Sequence, residues 1–173
     1  MSAGARLRQG LRALAAWTTA VDYDLAAQYL TPPLMDLFRK MRRSEQLHSL
    51  NVLRDVLTQG STPRELAAAA LLHDVGKSRY PIGTLQKTLA VIIRAISPSL
   101  FERRSKGNPA NMWYRPFVVY TEHPAWGAEL VAQAGASDNI VWLVAHHQEP
   151  AEQWNSHPLV DWLRCLQQAD DSN

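Results

Sequence analysis

The sequence predicts an all-α fold, a single compact helical bundle carrying an inserted helix and a basic loop. Three observations lead there. Apolar residues recur with a period near 3.6 along most of the chain, helix starts and stops fall at regular intervals, and only Phe117 to Tyr120 reads even weakly as strand. With 173 residues, 46% of them hydrophobic and 20% charged, the chain has material for one domain with a real core. The formal net charge of +2 gives no compositional argument for a nucleic-acid partner.

Taken in order, Leu7, Leu11, Leu14 and Thr18 fall at helical spacing and predict an amphipathic helix. Arg6, Arg8 and Arg12 ahead of the uncharged run Ala13 to Val21 superficially resemble a secretory signal. The run is short, rich in Ala and Thr, and cut into by Arg12, so the helix is the better reading. No run reaches the roughly 20 apolar residues of a membrane span. A cytoplasmic location is the default expectation, and the single cysteine, Cys165, fits a reducing compartment as a small buried apolar residue. After Pro32–Pro33, the positions Leu34, Leu37, Phe38 and Met41 predict a second helix.

Residues 1–43 thus form N-terminal helices packing on a main domain at 44–171. In that domain Ser44 is the expected cap of a helix with Leu47, Leu50, Leu53, Val56 and Leu57 inward, stopped by Gly60. Thr62-Pro63-Arg64-Glu65 reads as a capping box with Pro at the first helical position. That helix runs through an Ala-rich stretch at 67–70 to His73–Asp74, with Gly76 as its C-terminal stop. Three further helices are expected at about 124–134, ending at Gly135, about 138–147, capped by Ser137, and about 158–170.

An insertion at about 78–116 separates these two groups. Its segment with Leu85, Leu89, Ile92, Ile93, Ile96 and Leu100 on one stripe reads first as a cover for the core. A homodimer contact is the second reading, and a membrane-surface contact with Lys87, Arg94 and Arg103 near anionic lipid is the third. The basic stretch that follows is either a solvated loop or, through Arg103, Arg104, Lys106 and Arg115, an attractor for a polyphosphate or nucleotide.

Five of the six histidines stand where helices can bring them together. His48 lies beside an apolar stripe, His73–Asp74 ends a strongly signalled helix, His123 precedes Pro124, and His146–His147 ends the next helix. Leu159, Leu163, Leu166 and Asp170 are spaced i, i+4, i+7, i+11, which puts the Asp170 carboxylate on a leucine face. A carboxylate facing a core needs a cationic partner, and a divalent metal is one. Imidazole with carboxylate suits Fe, Mn, Zn or Co, and the lack of thiolates argues against a structural zinc cluster. His157, before Pro158, is left out as a loop residue.

The order His48, His73–Asp74, His123, His146–His147, Asp170 resembles the ligand series of the HD superfamily of metal-dependent phosphohydrolases. Leu-His-Asp-Val-Gly-Lys at 72–77, His-Pro-Ala-Trp-Gly at 123–127, His-His-Gln-Glu at 146–149 and Gln-Gln-Ala-Asp at 167–170 carry the likeness, which covers about residues 44–171. It implies one metal held by His48, His73, Asp74 and Asp170. Asp74 would bridge to a second ion held by His123 and by one or both of His146 and His147. Lys77 takes the place of a lysine that contacts the scissile phosphate, and Glu45 is a further candidate ligand or supporting carboxylate. The implied activity is cleavage of a phosphate ester or anhydride, of a nucleotide, by metal-activated hydroxide, with two ions clamping the attacking and leaving oxygens. Asp74 and Lys77 would be its catalytic residues, a small-molecule phosphate its partner. A non-catalytic metal or nucleotide sensor and a di-iron HD oxygenase are the alternatives compatible with the same order. The likeness is closest to the HD-GYP branch, which cleaves cyclic dinucleotides, but the Gly-Tyr-Pro element after the histidine pair is missing. Specificity for a cyclic dinucleotide is therefore not implied.

Overall fold

The computed structural model describes residues 19–173, and the helix expected through Leu7–Thr18 lies outside them. Asp22 accepts from Leu25 N at 2.9 Å and starts α1 (Tyr23–Ala27). Helix α2 (Pro32–Lys40) has its prolines in the first turn, where their missing N–H groups cost nothing. Leu34, Met35, Leu37 and Phe38 of α2 are buried, and Ala26 and Leu30 join the same core.

Helix α3 (Arg43–Thr58) begins one residue before Ser44, and no side chain caps it. Its C-terminal stop is Gly60, whose φ of 122° is a conformation that a side chain would oppose. The expected capping box of the next helix, α4 (Arg64–Leu72), does not form. The hydroxyl of Thr62 donates instead to Val56 O at 3.1 Å, and Glu65 is drawn away to accept from Ser137 and from Asn139 Nδ2 (2.8 Å). Residues 66–72 of α4 are all buried, because α4 is the central helix, packed against α2, α3, α8 and α9. Alanines at 67–70 let those neighbours approach closely.

A 3₁₀ turn, Val75–Ser78, follows α4. Gly76 is not a left-handed stop. A Cβ there would stand 2.0 Å from His123 O and 2.7 Å from Gly127 N, so glycine is required because two backbones touch. The segment expected as an insertion forms α5 (Thr84–Ile96) and α6 (Pro98–Ser105), both lying on α7 (Arg115–Gln133). Helix α7 corrects two expectations: it starts nine residues before Pro124, and it absorbs Phe117–Tyr120, which is not strand. Helices α8 (Asp138–His146) and α9 (Val160–Asp171) complete the bundle, joined through a 3₁₀ turn at Ala151–Trp154. Ser137 stands at the N-cap of α8, yet its hydroxyl donates to Glu65 rather than to its own helix. Among the described residues there is no strand. The buried face of α9 is Leu163, Leu166 and Ala169.

Candidate metal centre

The ends of α4, α8 and α9, the middle of α7 and the first turns of α3 meet at one place, and each brings a ligand-type side chain. His73 and Asp74 come from the end of α4, where the chain passes into the 3₁₀ turn. His48 projects from α3 and Asp170 from the last turn of α9, with His48 Nε2 to Asp170 Oδ1 at 2.8 Å. His73 Nε2 lies 3.5 Å from that same oxygen and 3.7 Å from Asp74 Oδ2. On the other side of Asp74, Oδ1 is 3.2 Å from His123 Nε2 and 3.9 Å from His147 Nε2, and those two nitrogens are 3.2 Å apart.

Two ligand groups result, His48–His73–Asp74 and Asp74–His123–His147, with donor atoms within 4.8 Å of one another in each. Asp74 belongs to both. Asp170 faces the first group. His146 joins neither: its ring packs 4.8 Å from that of Trp142 and 4.4 Å from that of Trp154, with Nδ1 3.0 Å from Glu149 Oε2. Consecutive residues on a helix point about 100° apart, so only one of the pair can face the cluster. His157 stacks flat on Trp142, at 3.8 Å between ring centres.

Three of these imidazoles are aimed by backbone carbonyls. Nδ1–H of His73 donates to Ala70 O (3.0 Å), that of His147 to Val144 O (2.8 Å), and that of His123 to Val119 O (2.9 Å) and Tyr120 O (3.1 Å). A donating Nδ1 leaves Nε2 as the free lone pair, the tautomer a metal requires. For His123 the acceptor has a visible origin. Pro124 lies inside α7 and has no N–H to give to the carbonyl four residues back, which is that of Tyr120. The freed oxygen takes the His123 proton instead.

Electrostatics tie the cluster together. Burial opposes ionisation of Asp74 most strongly, but Lys77 and His73 outweigh it and hold Asp74 well below the usual carboxylate range. Lys77 Nζ sits 2.5 Å from Asp74 Oδ2, and its pKa is raised, with burial overcome by Asp74 and then Glu45. Burial pushes His147 down, helped by the charges of His73 and His123, to about 3, so its imidazole is neutral at physiological pH. His73 moves the other way: burial disfavours its charge, but Asp74 and Asp170 outweigh burial and raise it. Asp170 is lowered, burial being overcome by the hydrogen bond from His48 and by the His73 imidazole 3.5 Å away.

The donor set passes a direct test of fit. His73 Nε2 is fully buried, has no hydrogen-bond partner of good geometry, and faces two carboxylates. A proton or a divalent cation there satisfies all three groups, and the imidazole and carboxylate donors match a borderline transition metal.

Beside the cluster is a cleft of about 440 Å³, lined by His147, Gln148, Glu149, Pro150, Gln167, Asp170 and Asp171, with Arg94 and Tyr120 on its wall. Gln167 closes its floor, donating to His147 O (3.0 Å) and Glu149 O (2.6 Å). The cations of the basic loop are elsewhere. Arg115 holds the loop by donating to Pro109 O (2.9 Å) and Ala110 O (3.0 Å), Arg104 leans on the rings of Tyr114 and Phe117, and Arg103 is exposed. None of the three lines the cleft. The cation that does is Arg94, bonded to Tyr120 OH. Lys87, one cycle earlier on α5, reaches the buried carboxylate of Glu45 at 2.6 Å. Glu45 is therefore a paired carboxylate beside the cluster and not a member of either ligand group. Sequence alone sets Lys87 and Arg94 beside anionic lipid; their spacing of seven puts them on one helix face, opposite the apolar stripe, and that face is turned toward the cluster.

The HD domain family model matches residues 46–172. The chain belongs to the HD domain family. HD domains form a superfamily of metal-dependent hydrolases that bind divalent ions, and the match takes in both ligand groups and the whole insertion. Neither the curated proteins nor the solved structures gave a match to the chain.

Proposed function

We propose that this HD domain is a metal-dependent phosphohydrolase acting on a phosphate ester or anhydride of a nucleotide, with two divalent ions bridged by Asp74. The observation that carries the reading is the pair of ligand groups sharing one carboxylate, with the unpartnered His73 Nε2 between Asp74 and Asp170. His48, His73, Asp74 and Asp170 would hold one ion, and Asp74, His123 and His147 the other. Bound ions of this class lower the pKa of a water to near neutrality and offset charge on phosphoryl oxygens.

The chain's own groups supply the rest. Asp74 stays ionised beside Lys77, so it is available as the shared ligand. The Lys77 ammonium, fixed by that carboxylate, offers its remaining N–H bonds to a phosphoryl oxygen arriving at the cluster. Arg94, on the cleft wall, gives a second cationic contact for a substrate phosphate, placed where Arg103, Arg104 and Arg115 are not. The cleft volume falls within the range of small-molecule sites.

The test is a panel of nucleotides incubated with metal-reconstituted protein, reading release of phosphate or nucleoside monophosphate. Turnover that a chelator and Asp74→Ala both abolish supports the proposal. Tight nucleotide binding without hydrolysis, indifferent to Lys77→Ala, overturns it in favour of a sensor, and oxygen consumption with iron overturns it in favour of an oxygenase.

A further inference from the structure

Helix α5 presents its apolar stripe outward. Leu85, Leu89, Ile92 and Ile96 are spaced i, i+4, i+7, i+11 and form one face, with Leu85 87% and Ile96 80% exposed. The opposite face carries Ala90, which is buried, with Lys87 held by Glu45 and Arg94 held by Tyr120. The stripe therefore does not cover the core, the first of its expected roles, because α5 turns its cations to the metal-centre side.

Charge chooses among the remaining occupants. Residues 78–116 contain seven Lys or Arg and one acidic residue, Glu102, although the chain as a whole has 18 basic and 16 acidic residues. The insertion is thus net +6 on a chain of net +2, and everything outside it is net −4. Arg79, Lys87 and Lys106 are spent in ion pairs with Glu129, Glu45 and Glu102. Arg94, Arg103, Arg104 and Arg115 have no carboxylate partner among the described residues. A second copy would bring the same positive charge to the contact, which opposes self-association. A nucleic acid would match the cations and leave four exposed aliphatic side chains without a partner. A bilayer of anionic lipid matches both features, taking aliphatic side chains at the acyl boundary and cations among the headgroups.

We propose that the outer face of α5, with Arg103, Arg104 and Arg115 of the same segment, docks the protein on an anionic lipid surface. The Leu85–Leu89–Ile92–Ile96 stripe enters the interface, and Arg103 contributes at headgroup level. Met112 and Trp113 of the same segment are also exposed, by 62% and 70%. This inference is independent of catalysis and stands or falls without it.

The test is co-sedimentation of the full chain with phosphatidylcholine vesicles, with and without phosphatidylglycerol, at low and high salt. Binding is expected only with phosphatidylglycerol. Leu85→Asp with Ile96→Asp should reduce it at least about tenfold and Arg103→Ala about fivefold, with unchanged circular dichroism. Both aspartates fall on exposed positions, so folding is not at stake, and a thermal melt checks this. Sedimentation indifferent to phosphatidylglycerol, or unaffected by the double substitution, overturns the proposal. So does a lipid-free dimer that Leu89→Asp dissociates, or retention on DNA by a protein that ignores vesicles.

Discussion

Lys87 Nζ stands 2.6 Å from Glu45 Oε1, so a helix of the insertion is pinned by an ion pair to the helix that carries His48. Glu45 is almost completely buried and Lys87 is one-third exposed, so the carboxylate depends on this partner more than the lysine does. Lys87→Ala leaves the buried Glu45 carboxyl without its partner and should cost about 1–3 kcal/mol, moderated by the solvent that reaches the vacated position. Thermal or urea denaturation measures it. Adding Glu45→Gln should recover part of the loss, and a double substitution no better than the single one would show that the pair does not bear the cost.

Gly76→Ala should be among the most damaging small substitutions in the chain. The new Cβ meets His123 O at 2.0 Å, and neither backbone is free to yield without moving His73–Asp74 away from His123. A loss of about 3 kcal/mol or more is expected. Gly127→Ala is milder, since its closest contact is a valine methyl at 3.0 Å, and about 1 kcal/mol is expected. Denaturation midpoints of the two variants rank them directly.

The two adjacent histidines at the end of α8 should separate cleanly. His147→Ala removes a donor from the Asp74–His123–His147 group and should weaken metal binding by at least about 10–100-fold, whereas His146→Ala should leave it within about twofold. Calorimetric titration with Mn²⁺ or Zn²⁺ reads both. Equal losses would mean that His146 also reaches the ion.

Metal binding should release a proton. In the metal-free chain Asp74 and Asp170 outweigh burial and raise the pKa of His73, favouring a proton where a cation would sit. Affinity should therefore fall as pH is lowered, and titrations in buffers of different ionisation enthalpy should report proton release on binding.

Glu65 provides a pH test far from the metal. Hydrogen bonds from Ser137 and Asn139 hold its pKa below the ordinary 4.5. A folded pKa below the unfolded one means stability fully present above about pH 4.5 and lost as pH falls through the folded value. Glu65→Gln should cost about 0.5–1 kcal/mol at neutral pH, given partial exposure, and nothing once the wild-type carboxylate is protonated. Denaturation of both proteins across the acid range checks the convergence.

Much of the helical order was legible because apolar period and turn residues agree locally, as along Leu159–Leu163–Leu166 and at Gly60 and Gly135. The misreadings share a physical cause: tertiary partners overrode local signals. Glu65 and Ser137 look like caps of their own helices and instead bond each other across the bundle. Phe117–Tyr120 carries β-favouring side chains but is held in α7 by Phe101 and the core. In the centre, the spacing of His48, His73–Asp74, His123 and Asp170 suggested convergence, yet it had no means of choosing between His146 and His147. That choice depends on the rotation of α8 against α4, which Ile140, Leu143 and Val144 set by being buried. The outward face of α5 was hidden for a related reason, since a helical stripe reveals amphipathicity and not which side meets the protein.

Pro124 places helix regularity and the orientation of His123 in opposition at a single oxygen. A residue with an amide at 124 would let α7 close its ordinary ladder and gain stability, while competing with His123 for the Tyr120 carbonyl. Selection for a sturdier helix at this position would thus erode the aim of a ligand. The break in the ladder is a trade of rigidity for direction, concentrated in one missing hydrogen.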